Sequence, residues 1–305
     1  MNFIKKSNAQ LFLFINAILW GSLYVWSDLL LAFLPRFTIL LLCSLGGLAV
    51  TAVIFFSKIR GIKAEEILPS LIVTALSIIS NTFFMLALQY TSSSNTAFIV
   101  QSSVVITPVI MVIIEKRMPD SKVIICAFIS LAGLFLITCS FTDFRFNMGD
   151  IFAFCNALFF SLFLIGQRII SVKVSTEHFS FLHYLYGSLI FLLLAGFIDF
   201  PNISLTGLDT YKFILPALAN IIIAIVTVLF QSQSIRYVKP ESAVLIYMIE
   251  PLVALVLGSI LIGGQLKGIQ SVIGFVLVMA AVFLSVVKLP VRKDHAKSGE
   301  ESGKY

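Results

Sequence analysis

Apolar residues run through this chain in ten long stretches, each ended by charges or turn residues. The stretches fall at 11–33, 37–57, 67–88, 96–114, 123–141, 151–167, 179–198, 213–235, 242–262 and 269–287. A helix crossing the hydrocarbon core of a bilayer needs ~20 apolar residues, so each stretch is predicted to be a transmembrane helix. The connections are short, and none could hold a soluble domain. Polar residues inside the stretches are sparse and phased. Ser70, Thr74, Ser77 and Asn81 in span three follow one helical face, as do Asn220, Thr227, Gln231 and Ser234 in span eight. Lipid does not favour such faces, so both stripes are expected to point into the bundle. Asn81 and Gln231 are read as lining a wetted path, and the hydroxyls as glue between helices.

Composition narrows the class. Of 305 residues, 59% are apolar and 12% charged, with a mean hydropathy of +1.04. An average soluble domain is ~45–50% apolar and ~25% charged, which excludes a soluble enzyme or a nucleic-acid binder here despite the basic balance. That balance belongs to the loops. With the N-terminus in the cytoplasm, seventeen of the 21 lysines and arginines fall on the cytoplasmic side, leaving Arg36, Arg145, Lys212 and Lys267 outside. This positive-inside bias predicts ten spans with both termini cytoplasmic. Lys5 and Lys6 precede a run of full spanning length, so the first span is expected to be retained rather than cleaved. Cys43, Cys126, Cys139 and Cys155 lie in apolar runs without a CxxC pair and are read as buried thiols.

The two halves echo each other. Phe12-Leu13-Phe14-Ile15-Asn16-Ala17 matches Phe152-Ala153-Phe154-Cys155-Asn156-Ala157 at four of six positions. Tyr90 and Tyr237 each begin a polar connection, into spans four and nine, and those spans each carry an internal proline, Pro108 and Pro251. Five spans per half is an odd number, so the second copy enters the membrane from the opposite side. The predicted fold is therefore all-α and polytopic, with ten transmembrane helices in two inverted five-helix repeats. The organisation expected is a cytoplasmic end (1–10), a first repeat (11–141), a second repeat (149–288) and a disordered cytoplasmic tail (289–305).

Several short motifs fall in a recognisable order. They are Asn16-Ala17-Ile18-Leu19-Trp20-Gly21-Ser22, Ala87-Leu88-Gln89-Tyr90-Thr91-Ser92 with Asn95-Thr96-Ala97-Phe98, and Glu115-Lys116-Arg117. In the second half come Tyr237 to Ala243 and Ile249-Glu250-Pro251-Leu252. Over residues ~11–288 the chain resembles the EamA-type members of the drug/metabolite transporter superfamily. It departs where the family carries Gly-Glu after span nine and this chain has Gly264-Gln265, and where Phe159-Phe160-Ser161 stands opposite Trp20-Gly21-Ser22. The resemblance implies a membrane carrier of small organic solutes, often an exporter of amino acids or other metabolites.

Asp28 and Glu250 are the acids clearly within spans. An acid at the bilayer centre costs roughly 2.5–3.5 kcal/mol on insertion scales and so faces a cavity or a partner. Asp28 has Arg36 nearby and reads as an interfacial pair. Glu250 stands mid-span before Pro251, which offers no N–H to the Tyr247 carbonyl, and Tyr247 shares its helix face. Carboxylate, phenol and carbonyl could hold an amino group or cycle a proton. Asn16 with Trp20, and Asn156 with Phe160, repeat an amide–aromatic spacing that could bracket a solute, Trp20 by stacking or cation–π contact. The alternative for Trp20 is packing on Gly46-Gly47 or Gly187. Gln101 on span four, and His183 with Tyr184 on span seven, are weaker candidates. Pro108 and Pro251 are read as helix breaks.

The function expected is a secondary transporter working by alternating access across a bacterial plasma membrane. Its partners are a small solute and the bilayer, with a proton as candidate coupling ion, as a monomer or homodimer and without cofactor. A GxxxxGK[ST] loop is missing, so this chain alone does not use ATP. A membrane-embedded enzyme would need HExxH or GxSxG, and His178, His183 and His295 build neither. A channel or lipid-moving protein is the main alternative.

Overall fold

A computed structural model of the chain describes residues 4–91, 93–138, 147–202, 210–261 and 268–286. These residues are almost wholly helical, and no strand occurs among them. The expectations for Cys139, Arg145, Gly264-Gln265, Lys267 and the tail from 289 lie outside the described residues.

The first repeat holds α1 (Ala9–Leu31), α2 (Arg36–Ile54), a four-residue α3 (Phe56–Ile59), α4 (Ala64–Tyr90), α5 (Ser93–Val100), α6 (Ser103–Glu115) and α7 (Ser121–Thr138). The second holds α8 (Met148–Ile170), α9 (Thr176–Leu194), α10 (Thr210–Ser234), α11 (Pro240–Tyr247), α12 (Glu250–Leu261) and α13 (Gly268–Val286). Spans four and nine are thus each built of two helices, α5–α6 and α11–α12. Eight spans have the length and apolarity to cross a bilayer, and the fifth and tenth are shorter apolar helices. Phe128, Ile113 and Phe283 are exposed on the outside, as lipid-facing residues must be. Several helices outrun their apolar stretches because their ends are capped. The Glu66 carboxylate accepts the Lys63 N–H at 2.9 Å, and Asn147 and Asp150 exchange side-chain-to-backbone bonds at 2.9 and 3.2 Å.

Packing follows the repeat. Span one (α1) lies against span eight (α10), and span three (α4) against span six (α8). Exchanging the halves turns each of these pairs into the other. Span two packs on span seven and span five on span ten, pairs that map onto themselves. At the α7–α13 crossing, a Cβ on Gly133 would come within 2.7 Å of the Gly274 carbonyl oxygen, so glycine sets how closely these helices meet.

The breaks in spans four and nine fall at equivalent places. One spans Gln101 and Ser102, the other Met248 and Ile249. At each, the ladder tightens to i→i−3 bonds, such as Gln101 N–H to Phe98 O at 3.2 Å and Met248 N–H to Leu245 O at 3.3 Å. Pro251 follows its break at once. Pro108 does not mark one: α6 runs unbroken through it, and the break lies upstream. The reason is that Pro108 removes only the bond to the Val104 carbonyl, and the ladder adjusts in the turn before it, where Val104 and Val105 donate to Gln101 and Ser102 at 3.0 and 2.9 Å.

Candidate solute-binding site

A cavity of about 180 Å³ lies in the middle of the bundle, walled by α1, α2, α4, α8, α9, α10, the last residue of α5 and the first residue of α12. A water takes ~10–15 Å³ on this kind of measure, so the space suits on the order of a dozen waters or a solute of similar atom count. Two apolar clusters hold the bundle around it, one with Leu13, Ala17 and Ile235, the other with Leu34, Phe37 and Phe191, the last reaching the cavity wall. Among the described residues of the lining, only Asn81 is exposed.

Glu250 enters this cavity because the chain breaks just before it. As the first residue of α12 it is 5% exposed and halfway along span nine. Gln101, at the other break, places its Nε2 3.5 Å from Glu250 Oε2, and Tyr24 borders the cavity beside the same residue. Gly21 lies between Trp20 and Tyr24 on the facing turn of α1, where a Cβ would come within 2.6 Å of the Glu250 carbonyl oxygen. Only glycine lets the α1 backbone rest against this break.

On one side of Glu250 a buried polar relay crosses four helices. Asn16 Nδ2 donates to the Tyr247 hydroxyl at 3.4 Å, and that hydroxyl donates to Gln231 Oε1 at 3.1 Å. Gln231 Nε2 donates to Gln167 Oε1 at 2.7 Å, and Gln167 Nε2 to Ser232 Oγ at 2.8 Å. Beyond the relay the Ile4 N–H donates to Gln233 Oε1 at 3.3 Å, tying the start of the chain to the end of α10. Trp20, Phe160 and Tyr247 form a ring cluster above it, with centroids 5.2–6.0 Å apart. Trp20 therefore packs on aromatic rings; the glycines meet other residues, Gly47 the ring of Tyr184 and Gly187 the hydroxyl of Ser44.

The structure brings Glu250, Tyr247, Gln231, Asn16, Trp20 and Gln101 together in or beside the cavity. Asn156 also touches the cavity, but its amide is held by span three, donating to Ser80 O at 2.7 Å and Ser80 Oγ at 2.9 Å. Asn81 lines the wall and donates to Ser77 Oγ at 3.2 Å. In the stripes, Thr74 Oγ1 lies 3.3 Å from His183 Nδ1, and Asn220 donates to Pro216 O at 2.9 Å while accepting from Ser27 Oγ at 2.8 Å. His183 borders the cavity against Phe163 and Phe179. Arg36 hydrogen-bonds Gln89 and lies over the Phe37 ring. Tyr24 and Gln167 were missed by sequence reasoning. Each stands on the face that carries a named residue, Tyr24 four after Trp20 and Gln167 eleven after Asn156, and that phase was the available signal.

Comparison with known proteins agrees with this architecture. The model of the EamA-like transporter family matches residues 7–139 and again 147–287. No curated protein sequence matches the chain. A solved crystal structure of a protein 17% identical superposes with a TM-score of 0.75 over 92% of this chain and 97% of the other, a likeness of fold.

Proposed function

The chain belongs to the EamA-like transporter family and is a multi-pass membrane transporter; from that premise we propose that it is a secondary carrier, moving a small organic solute outward by alternating access. The observation that carries this reading is a mid-bundle cavity placed where two broken spans meet. Inverted halves can exchange conformations and so offer the cavity to each side in turn. Glu250, Tyr247, Trp20, Gln101, Asn81 and Gln231 hold or guide the solute. Asn16 joins the relay that seals one end, and Asn156 fixes span six to span three. A proton is the coupling ion assigned to Glu250. The host membrane is a bacterial plasma membrane with both termini cytoplasmic, and the working unit is a monomer or homodimer.

Purified protein in liposomes tests the carrier reading against a channel or lipid-moving protein. Liposomes loaded with unlabelled solute should draw in labelled solute against its gradient, with saturation, and counterflow should be lost with Glu250→Gln. Linear uptake without counterflow would overturn the reading. Protection of overexpressing cells from toxic solutes, fed as a panel of amino-acid analogues and organic amines, tests the outward direction.

A further inference from the structure

We propose that the cavity selects organic cations with a flat apolar body, and discriminates against zwitterions and anions. The inference rests on the carrier reading above and names its substrate class.

The wall is unbalanced in charge. Glu250 is the carboxylate on it, and no lysine or arginine occurs among the described lining residues. An ionised carboxylate in a buried site requires an opposite charge or a full set of hydrogen bonds. Gln101 supplies one long contact at 3.5 Å. Gln101 Oε1, on the same buried amide, has no hydrogen-bond partner. An ammonium N–H in the cavity would supply Glu250 with both the opposite charge and a further hydrogen bond.

The rest of the lining suits the body of such a solute. Trp20, Tyr24, Phe84 and Phe160 border the cavity, and ring faces attract a cation. A solute carboxylate finds the opposite. The amide nitrogens on the wall already donate within the protein: Asn81 to Ser77, Asn156 to Ser80, Asn220 to Pro216 and Gln231 to Gln167. Hydroxyls, the Trp20 indole and the His183 imidazole remain, with no lysine or arginine to offset Glu250. A zwitterion would bring its own carboxylate near Glu250 without compensation, and like charges in a dry site repel.

Binding can be read directly, since the chain has two tryptophans, Trp20 and Trp26. In the full-length protein carrying Trp26→Phe, Trp20 reports alone. It is titrated with three probes that share a phenyl body: phenethylamine, phenylalanine and phenylacetate. The cation should quench Trp20 saturably, at least about tenfold more tightly than the zwitterion or the anion. Glu250→Gln should abolish that preference and Glu250→Asp retain it; where neither variant folds, the ranking of the three probes decides alone. Equal binding of all three, or tighter binding of phenylalanine, would overturn the proposal. Binding of the cation without counterflow would sink the carrier reading and leave this inference standing. Counterflow of phenylalanine without cation preference would do the reverse.

Discussion

Gln101 Nε2 lies 3.5 Å from Glu250 Oε2, so the two broken spans meet through one amide and one carboxyl. Each group is delivered by a local failure of the helical ladder, one in each half. Glu250→Gln keeps the shape and removes the charge. The variant should insert and run as wild type in size exclusion, yet show no transport between about pH 5.5 and 8. Wild-type flux across that range would remove the carboxylate from the cycle.

Gly21 makes the same contact sterically demanding. Gly21→Ala puts a methyl where only 2.6 Å separates it from the Glu250 carbonyl. The crossing of α1 and α12 has to widen, at a cost of about 1–3 kcal/mol by comparison with other overpacked sites. Thermal unfolding in detergent should drop by several degrees. An unchanged midpoint would mean that the two helices part freely there.

The relay makes a separable forecast. Tyr247→Phe leaves Gln231 Oε1 and Asn16 Nδ2 without their shared hydroxyl. Unsatisfied buried groups cost about 1–3 kcal/mol, so this closed end should open more often. Ser234, fully buried beyond the relay, can carry a reporter thiol in a background without native cysteines. Maleimide labelling of Ser234→Cys should quicken when Tyr247→Phe is added, and equal rates would show that the relay does not hold this end shut.

Asp199 and Asn156 predict structure rather than transport. The buried Asp199 carboxylate accepts the Thr38 N–H at 2.7 Å and the Thr38 hydroxyl at 3.0 Å, capping α2 from span seven. Asp199→Ala should destabilise by about 0.5–2 kcal/mol, as lost caps do. Asn156→Ala should cost ~0.6 kcal/mol, typical of an interhelical membrane bond, and leave solute affinity unchanged. A large change in affinity would return Asn156 to the solute.

The sequence revealed what the bilayer dictates. Ten apolar runs stood out because a span must be long and apolar, and Glu250 stood out because an acid inside such a run is expensive. Less was visible where the signal was ordinary. Tyr24 looks like one more aromatic residue in an apolar run until folding sets it beside Glu250. Gln167 sits at the edge of its run and reads as a boundary, although α8 continues past it and turns it into the relay. Asp199 reads as a loop acid, and its role depends on Thr38, far away in the chain. Pro108 misplaced a break because a proline's strain need not be relieved at the proline.

The two breaks differ in charge. After the break in span nine stands Glu250, and at the same step after the break in span four stands Ser103. The machine is symmetric in shape and lopsided in charge. A single negative site can neutralise one positive charge on each passage, so a bis-ammonium compound would travel with a bare second charge. Dications of matching size should therefore behave as blockers rather than passengers.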